Sequence, residues 1–286
     1  MTKLRNETFT EKLFFCTARV TAHIQQKETT ATAFMYSVPI SDTDSHIFLV
    51  SNKHVLEGAD RLLVDVMASD GSAPVLGQGV TIEIRPKHAA HARFFASHAD
   101  PAVDVSVINF GAFLNMSEAA GRPAHLGHIP SLMALNSSHI DLVSALEDIT
   151  FIGYPAGVFD SVSLLPVVRG GRTASPLEVD YEGKPAFLVD AAVFPGSSGS
   201  PVLLLDRGMY QDRQGVTVVG SRFILLGVMA AVHTQQISGE VLRLPASTLV
   251  RIKQPIGLGL VFKASAIDET VDVVLHRLGL MRFVPE

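Results

Sequence analysis

Short runs of apolar or alternating apolar and polar residues recur along most of the chain, a pattern typical of β-strands. Between residues 12 and 110 these runs are rich in β-branched and aromatic residues, and polar or Gly, Pro and Asp turns separate them. The runs that predict strands here are Lys12–Ala22, Thr29–Val38, His46–Ser51, Arg61–Met67, Val80–Arg85 and Asp104–Phe110. Six short strands joined by turns favour an antiparallel β-barrel.

The rhythm breaks over residues 111–147. Glycine or proline interrupts this segment at positions 121, 123, 127 and 130, and these residues end strands and helices. We therefore predict a linker over 111–147 that follows an N-terminal barrel in residues 1–110.

A second all-β unit is predicted over residues 148–263, and a helix with a short tail over residues 264–286. The strand-like runs are Ile149–Tyr154, Val162–Arg169, Leu177–Tyr181, Ala186–Ala191, Pro201–Leu205, Val216–Val219, Phe223–His233 and Leu258–Phe262. Between Ser265 and Leu278 the apolar residues recur at three and four positions, which predicts an amphipathic helix.

Composition narrows the class of protein. The chain has 286 residues, of which 47% are hydrophobic, so it can bury a core without disulfides or metals. Its single cysteine, Cys16, precludes an intrachain disulfide and favours a reducing, cytoplasmic location. The net charge of −5 without a long basic run argues against nucleic-acid binding, and no apolar stretch approaches the ~20 residues of a membrane span. Polypeptide or small-molecule partners fit better.

The segment Phe194–Pro201 has the composition of a nucleophile-bearing turn. It reads Phe-Pro-Gly-Ser-Ser-Gly-Ser-Pro and leads into the apolar run from Val202 to Leu205. Glycines beside Ser198 leave room for a substrate carbonyl and free backbone N–H donors. A plain Gly/Ser hairpin turn explains the same octapeptide, so the segment alone leaves both interpretations open.

Two further residues supply the partners that a serine nucleophile needs. His54 follows the buried run from Ile47 to Ser51, where a ring is held firmly and stays reachable. Asp104 opens an apolar strand, and a carboxylate there is expensive to bury unless another group compensates its charge. An imidazole N–H that donates a hydrogen bond to the carboxylate would do so. Asp100 is a rival, but it precedes Pro101 in a loop-like stretch, so Asp104 is the better candidate.

The order His54, Asp104, Ser198 resembles that of trypsin-like serine peptidases, and the local patterns Ser51–Val55, Asp104–Ile108 and Gly196–Pro201 resemble their three motifs. Gly153-Tyr154-Pro155 is similar to the Gly-Tyr-Pro that bacterial HtrA-like members often carry early in the second barrel. The resemblance implies a chymotrypsin-like fold of two six-stranded antiparallel β-barrels with the triad between them. It further implies a serine endopeptidase without a cofactor or metal, whose oxyanion hole is formed by the N–H groups of Gly196 and Ser198.

Four departures from the family pattern qualify this resemblance. Ser197 stands where digestive trypsins carry an acid, so activation by a newly cleaved N-terminus is not expected. Asn52-Lys53 replaces a small pair before the histidine, and Ser200 replaces a glycine. The residues after Phe262 are too few for the PDZ domain of HtrA proteins, so we expect the type without one.

The family also implies where the first substrate side chain binds. Its pocket floor falls at Ala192, with walls from the strand near Ala231 and His233. Ala192 carries no charge, which favours a small or apolar residue before the cut. His233 could instead select an acidic residue, although a strand-end histidine without a role is the simpler interpretation.

Other candidate chemistry is weaker. The histidines at 88, 91 and 98, and those at 125 and 128, lie in loop-like segments without a supporting acid motif, so we predict no metal site. Two alternative functions stay open: a catalytically silent trypsin-like scaffold that binds proteins, and an esterase of the α/β-hydrolase type. The second is disfavoured because Ser200 breaks Gly-x-Ser-x-Gly and no strand–helix alternation surrounds it.

Overall fold

The computed structural model describes residue 4, residues 6–243 and residues 246–283, and over 231–256 it gives at most the backbone. Strands make up most of the regular structure, and the longest helix lies near the C-terminus. This confirms the predicted all-β class with a C-terminal helix. None of the helices within these residues is long and apolar enough to cross a membrane.

The first half forms one nine-stranded sheet with four short helices. The strands are β1 (Thr17–Ile24), β2 (Lys27–Pro39), β3 (Ser45–Ser51), β4 (Arg61–Ser69), β5 (Pro74–Ile84), β6 (Phe95–Ser97), β7 (Ser106–Asn109), β8 (Ala124–His125) and β9 (Ile129–Pro130). The helices are α1 (Phe9–Lys12), α2 (Lys53–Leu56), α3 (Ala89–Ala92) and α4 (Gly111–Ala119), and 3₁₀ turns span Leu13–Phe15, Ser131–Met133 and Ser137–Leu142.

The strands of this first sheet follow the order β5-β4-β1-β2-β3-β7-β6, with β8 beside β4 and β9 parallel to β2. Residues of six of these strands share one buried cluster, which includes Val20, Ala33, Leu49, Val64 and Ile82. The sheet therefore surrounds a core of its own. The sheet has nine strands where the sequence predicts six. The three strands that the sequence does not predict are β6, which is very short, and β8 and β9, which lie in the segment 111–147 of the predicted linker.

The second half contains eight strands and the last helix. These are β10 (Asp148–Gly153), β11 (Val167–Thr173), β12 (Ala186–Asp190), β13 (Pro201–Asp206), β14 (Met209–Gln211), β15 (Thr217–Val219), β16 (Arg222–Arg243), β17 (Ala246–Lys263) and α5 (Ala264–Arg277), with a 3₁₀ turn at Pro155–Gly157. Six of the strands close a barrel in the order β10-β11-β12-β17-β16-β13. The predicted six-stranded second barrel is confirmed.

Two of the predicted strands in this half, Phe223–His233 and Leu258–Phe262, belong to the longer strands β16 and β17, and two others are shortened or absent. The run Val162–Arg169 begins later, at Val167, because the Asp160 carboxylate accepts from Val162 N and Ser163 N and holds a turn. The run Leu177–Tyr181 joins no strand. Leu177 is buried against the barrel core, so its apolar character reflects packing and not strand pairing.

A third buried cluster joins the two halves. It combines Phe34 and Val50 of the first sheet with Leu203 and Phe262 of the barrel, and α5 adds Val271 among others. The helix is also fastened by polar contacts, since the Tyr36 hydroxyl donates to Asp268 at 2.7 Å and Asp268 pairs with Arg282 at 2.7 Å. The predicted apolar face of the C-terminal helix therefore packs where the halves meet.

Candidate active site

Strand register brings His54 and Asp104 to the same edge of the first sheet. Strands β3 and β7 are antiparallel neighbours, with Ser51 opposite Ser106. The end of one strand therefore lies beside the start of the other. His54 comes just after β3 and Asp104 just before β7, so residues far apart in sequence become neighbours.

A single helical turn presents the His54 ring to solvent. Helix α2 buries Val55 and Leu56, which leaves the opposite side of the turn outward. The His54 side chain is 48% exposed. Its ring is therefore reachable while its backbone is held by buried neighbours.

Asp104 holds His54 through both of its carboxylate oxygens. Oδ2 lies 2.6 Å from His54 Nδ1, and Oδ1 accepts the backbone N–H of His54 at 2.9 Å. Val103 and Val105 on either side of Asp104 are fully buried, which fixes the backbone of the carboxylate. This contact favours the imidazole tautomer with the proton on Nδ1 and leaves Nε2 as the basic nitrogen.

The unusual pair Asn52-Lys53 has a structural role beside this contact. Asn52 is completely buried, and its Nδ2 donates to the Asp104 carbonyl at 2.8 Å. Lys53 Nζ donates to the carbonyls of His98 and Asp100 at 2.9 and 3.2 Å. Asp100 itself accepts from Ala102 N at 2.8 Å. The carboxylate that contacts His54 is thus that of Asp104 and not that of its rival.

The glycines of residues 194–200, which we call the serine turn, are required by close packing. Gly196 and Gly199 have φ of +88° and +85°. A Cβ on Gly196 would lie 2.6 Å from the Tyr154 carbonyl oxygen, and a Cβ on Gly199 would overlap the Thr32 carbonyl oxygen. Left-handed backbone without room for a side chain admits only glycine.

Two backbone donors of the serine turn are held in place and unused. The Pro195 carbonyl accepts from Ala156 N at 2.5 Å, and the Ser197 carbonyl accepts from Ser200 N at 3.0 Å. The C=O and N–H of one trans peptide point in opposite directions. The N–H groups of Gly196 and Ser198 therefore point away from Ala156 N and Ser200 N, which hold the carbonyls of the same peptides. Within the described residues neither N–H donates to a protein acceptor.

The serine turn lies against the strands that lead to His54. Ser198 O accepts from Thr32 N at 2.9 Å, and Ser51 Oγ donates to the Thr32 carbonyl at 2.7 Å. The Ser198 hydroxyl, however, donates to the Ala230 carbonyl at 3.2 Å. Among the hydrogen bonds of the described residues, none joins it to His54.

Thr32 is a residue of this site that sequence reasoning missed. It is fully buried on β2, its Oγ1 donates to the Gly196 carbonyl at 2.9 Å, and it accepts from Tyr154 N at 3.0 Å. Thr32 therefore joins the first sheet to the serine turn and to the loop after β10. Its only sequence signal is membership of an alternating strand, whereas Gly153-Tyr154-Pro155 was visible as a motif.

The predicted substrate pocket is described only in part. The Ala192 side chain is exposed, next to the buried Ala191 and Val193. The side chains of Ala231 and His233 lie outside the described residues. Their role in substrate selection stays a prediction.

Among the other candidate groups, the cysteine and two of the loop histidines are buried or bonded within the protein. Burial raises the pKa of the Cys16 thiol to about 12, which makes it unreactive. His91 Nδ1 accepts from Arg85 N, and His98 Nε2 lies 3.0 Å from Glu269. No group of three His, Cys, Asp or Glu side chains that could hold a metal ion occurs in the part of the chain that the structure describes.

Comparison with known proteins finds similarity in structure alone. No family model matches the chain, and no curated protein matches it in sequence. The solved structures that match include a serine endoprotease from Yersinia pestis, with 15% identity, 96% of this chain and 68% of that chain covered, and a TM-score of 0.47.

Two further matches cover nearly the whole of both chains. The protease Anisep from Arthrobacter nicotinovorans has 12% identity, covers 91% of this chain and 95% of its own, and has a TM-score of 0.48. An inactivated protease paralogue of the scabies mite has 11% identity, coverages of 93% and 96%, and a TM-score of 0.48. These matches assign no activity to this chain.

Proposed function

We propose that the chain is a serine endopeptidase in which Ser198 is the nucleophile, His54 the general base and Asp104 the residue that orients it. The observation that carries the proposal is the double contact of Asp104 with His54, at Nδ1 and at the backbone N–H. A histidine oriented in this way and left exposed has little structural purpose, because a surface pair contributes at most about 1 kcal/mol to stability.

The reaction follows from the atoms that these residues offer. Ser198 Oγ attacks the carbonyl carbon of the substrate and passes its proton to His54 Nε2, while the developing oxyanion accepts from the N–H groups of Gly196 and Ser198. His54 then gives the proton to the leaving nitrogen as the C–N bond breaks. Water repeats the two steps on the acyl-enzyme and returns Ser198 to its starting state.

Activity requires the Ser198 hydroxyl to leave the Ala230 carbonyl. The bond between them is neutral and 3.2 Å long, so breaking it costs about 1 kcal/mol. The proposed reaction requires that rotation of the serine side chain between staggered positions carries Oγ from the Ala230 carbonyl to His54. We therefore assign the observed rotamer to a resting state and expect substrate binding to favour the reactive one.

The substrates of such a site are proteins or peptides. A pocket with Ala192 at its floor and Ala231 and His233 in its walls would select a small or apolar residue before the cut. The single buried cysteine fits a cytoplasmic enzyme, since a reducing compartment makes no demand for disulfides.

The test compares cleavage by the wild type and by Ser198→Ala, with fluorescein-labelled casein as the substrate. We expect the wild type to release peptides and Ser198→Ala to lose at least about 10³-fold in rate, because the nucleophile is removed. Ser221→Ala, at an exposed serine of the same barrel, is the matched control and keeps full activity. Equal cleavage by Ser198→Ala and the wild type would contradict the assignment.

A second function, a silent scaffold that binds proteins, is favoured by one observation. The Ser198 hydroxyl donates to the Ala230 carbonyl, and no hydrogen bond of the described residues joins it to the imidazole. A scaffold of this kind would capture a partner that stays intact with the wild type, and His54→Ala and Ser198→Ala would bind it equally well. Loss of intact partner that depends on Ser198 would instead support the enzyme.

A further inference from the structure

Arg169 is a cation in direct contact with the serine turn. It lies on β11 opposite Phe151 of β10. Its guanidinium carbon is 5.1 Å from the centre of the Phe151 ring and 5.0 Å from that of Phe194. Its Nη1 donates to Ser197 Oγ at 3.4 Å, so the guanidinium reaches the residue immediately before Ser198.

The charge of Arg169 has no acidic partner among the described residues. Other arginines of the barrel do have one: Arg172 pairs with Asp148, and the buried Arg222 pairs with Glu147. Burial lowers the pKa of Arg169, which means that its surroundings disfavour the charge. A half-buried guanidinium that contacts two ring faces and one hydroxyl is a costly arrangement, and two of these three contacts, Phe194 and Ser197, lie in the serine turn.

Those contacts fix two points of the serine turn to the barrel wall. Phe194 begins the turn, and Ser197 immediately precedes Ser198. Ser197 Oγ also accepts from Phe194 N at 3.4 Å, so the hydroxyl that Arg169 contacts already ties these two residues together. The Ser197 carbonyl in turn holds the peptide that carries the Ser198 N–H.

We propose that Arg169 is a positioning residue, which holds the serine turn from the barrel side so that the Ser198 backbone and the two N–H donors keep the arrangement that the reaction needs. The role rests on the proposed peptidase function. Ser197 cannot form an ion pair with a new N-terminus, and the guanidinium supplies an internal cation at the same turn. Its planar fork suits simultaneous stacking and hydrogen bonding, which a lysine ammonium cannot reproduce.

The first test measures how fast a fluorophosphonate probe modifies Ser198, and the kcat and KM for p-nitrophenyl acetate, a small ester that makes little use of a side-chain pocket. In Arg169→Met we expect the labelling rate and kcat to fall roughly 10- to 100-fold with KM within about twofold, because a small displacement of reacting groups costs rates of that size. Arg169→Lys should recover little of the loss. Arg172→Met, on the same strand, is the control and should react like the wild type.

A second measurement does not depend on catalysis. The chain contains no tryptophan, so Phe194→Trp introduces a single tryptophan, excited selectively at about 295 nm, into the serine turn, and its ring can still stack on Arg169. Adding Arg169→Met should shift and broaden the emission of this tryptophan in folded protein, whereas adding Arg172→Met should leave the emission unchanged.

The outcomes separate the two proposals. Equal labelling rates for the wild type and Arg169→Met would overturn the positioning role. So would a tryptophan emission of Phe194→Trp that is the same with and without Arg169→Met. If the folded wild type resists the probe while the emission responds to Arg169, the peptidase function fails and the positioning role fails with it, leaving a structural contact. Reduced kcat with unchanged KM, together with the emission change, supports the proposal.

Discussion

The two sides of the candidate site are built in different ways. His54 and Asp104 belong to one sheet, and the pairing of β3 with β7 brings them together. The serine turn depends on several separate elements: Thr32 on β2, Ala156 in the turn after β10 and Met229 on β16 all bind its backbone. Strand register thus fixes His54 beside Asp104, whereas tertiary contacts from both halves fix the serine turn.

This difference indicates which side can change its arrangement. The His54–Asp104 contact is complete within the first sheet, at 2.6 Å. The Ser198 hydroxyl is engaged with a backbone carbonyl of the barrel instead. Substitutions around the serine turn should therefore alter reactivity through the position of Ser198, while leaving the orientation of the imidazole intact.

The largest expected effect comes from breaking the base side. Asp104→Asn places an amide opposite Nδ1 and favours the wrong tautomer, so we expect kcat for casein cleavage to fall about 10⁴-fold while the fold is kept. Asp100→Asn is the matched control, because among the described residues the hydrogen bonds of Asp100 go to its own loop and to Lys53. A loss of less than tenfold in Asp104→Asn would show that this carboxylate does not orient the base.

A smaller effect is expected from loosening the nucleophile side. Thr32→Val keeps the shape of the side chain but leaves the Gly196 carbonyl and the Tyr154 N–H without partners. Each buried polar group left unsatisfied costs about 1 to 3 kcal/mol. We expect a lower free energy of unfolding in urea and a slower rate of fluorophosphonate labelling.

Thr30→Val, on the same strand, makes a suitable control for Thr32→Val, since no contact with the serine turn involves the Thr30 side chain in the described structure. The two variants should differ in labelling rate by roughly tenfold or more, as expected for displaced reacting groups. Equal labelling rates would mean that the serine turn does not depend on the first sheet.

The smallest expected effect concerns acid stability of the first sheet. Burial lowers the pKa of His46 and of His125 from the ordinary value of 6.5. Each ring lies within hydrogen-bond distance of an asparagine amide, 2.7 Å from Asn109 and 2.9 Å from Asn6, so the neutral ring can accept. Below about pH 6.5 these histidines are protonated more readily in the unfolded chain than in the folded one. The free energy of unfolding therefore decreases as the pH falls below about 6.5.

Urea titrations at pH 7.5, 6.0 and 5.0 measure this loss. The double variant His46→Gln/His125→Gln keeps an acceptor that does not titrate, so its free energy of unfolding should depend less on pH than that of the wild type. His276→Gln, at an exposed position of α5, is the control. A wild-type slope that survives the double substitution would place the titrating groups elsewhere.

The sequence contains strong local signals for part of the site. His54 after an apolar strand, Asp104 before another, and Ser198 between glycines can each be identified without coordinates, because strand ends and glycine turns have local patterns. The glycines then have a physical reason in the structure, since Gly196 and Gly199 touch neighbouring backbone.

Other features depend on contacts that no local pattern records. Thr32 looks like any residue of an alternating strand, and the partner of the Ser198 hydroxyl depends on how β16 lies beside the turn. One difference was avoidable: the predicted strand Lys12–Ala22 starts too early, because Thr8 and Glu11 form a capping box for α1. The pattern Thr-x-x-Glu is readable from sequence and marks a helix start.

The most direct measurement of the central claim is the mass of the protein after reaction with a fluorophosphonate, followed by mapping of the modified peptide. In this reaction Ser198 Oγ forms a bond to phosphorus, fluoride leaves, and His54 receives the proton. The account predicts one adduct per chain, located on Ser198, and none in His54→Ala over the same time. A folded wild type that acquires no adduct, or acquires it on another residue, would contradict the account.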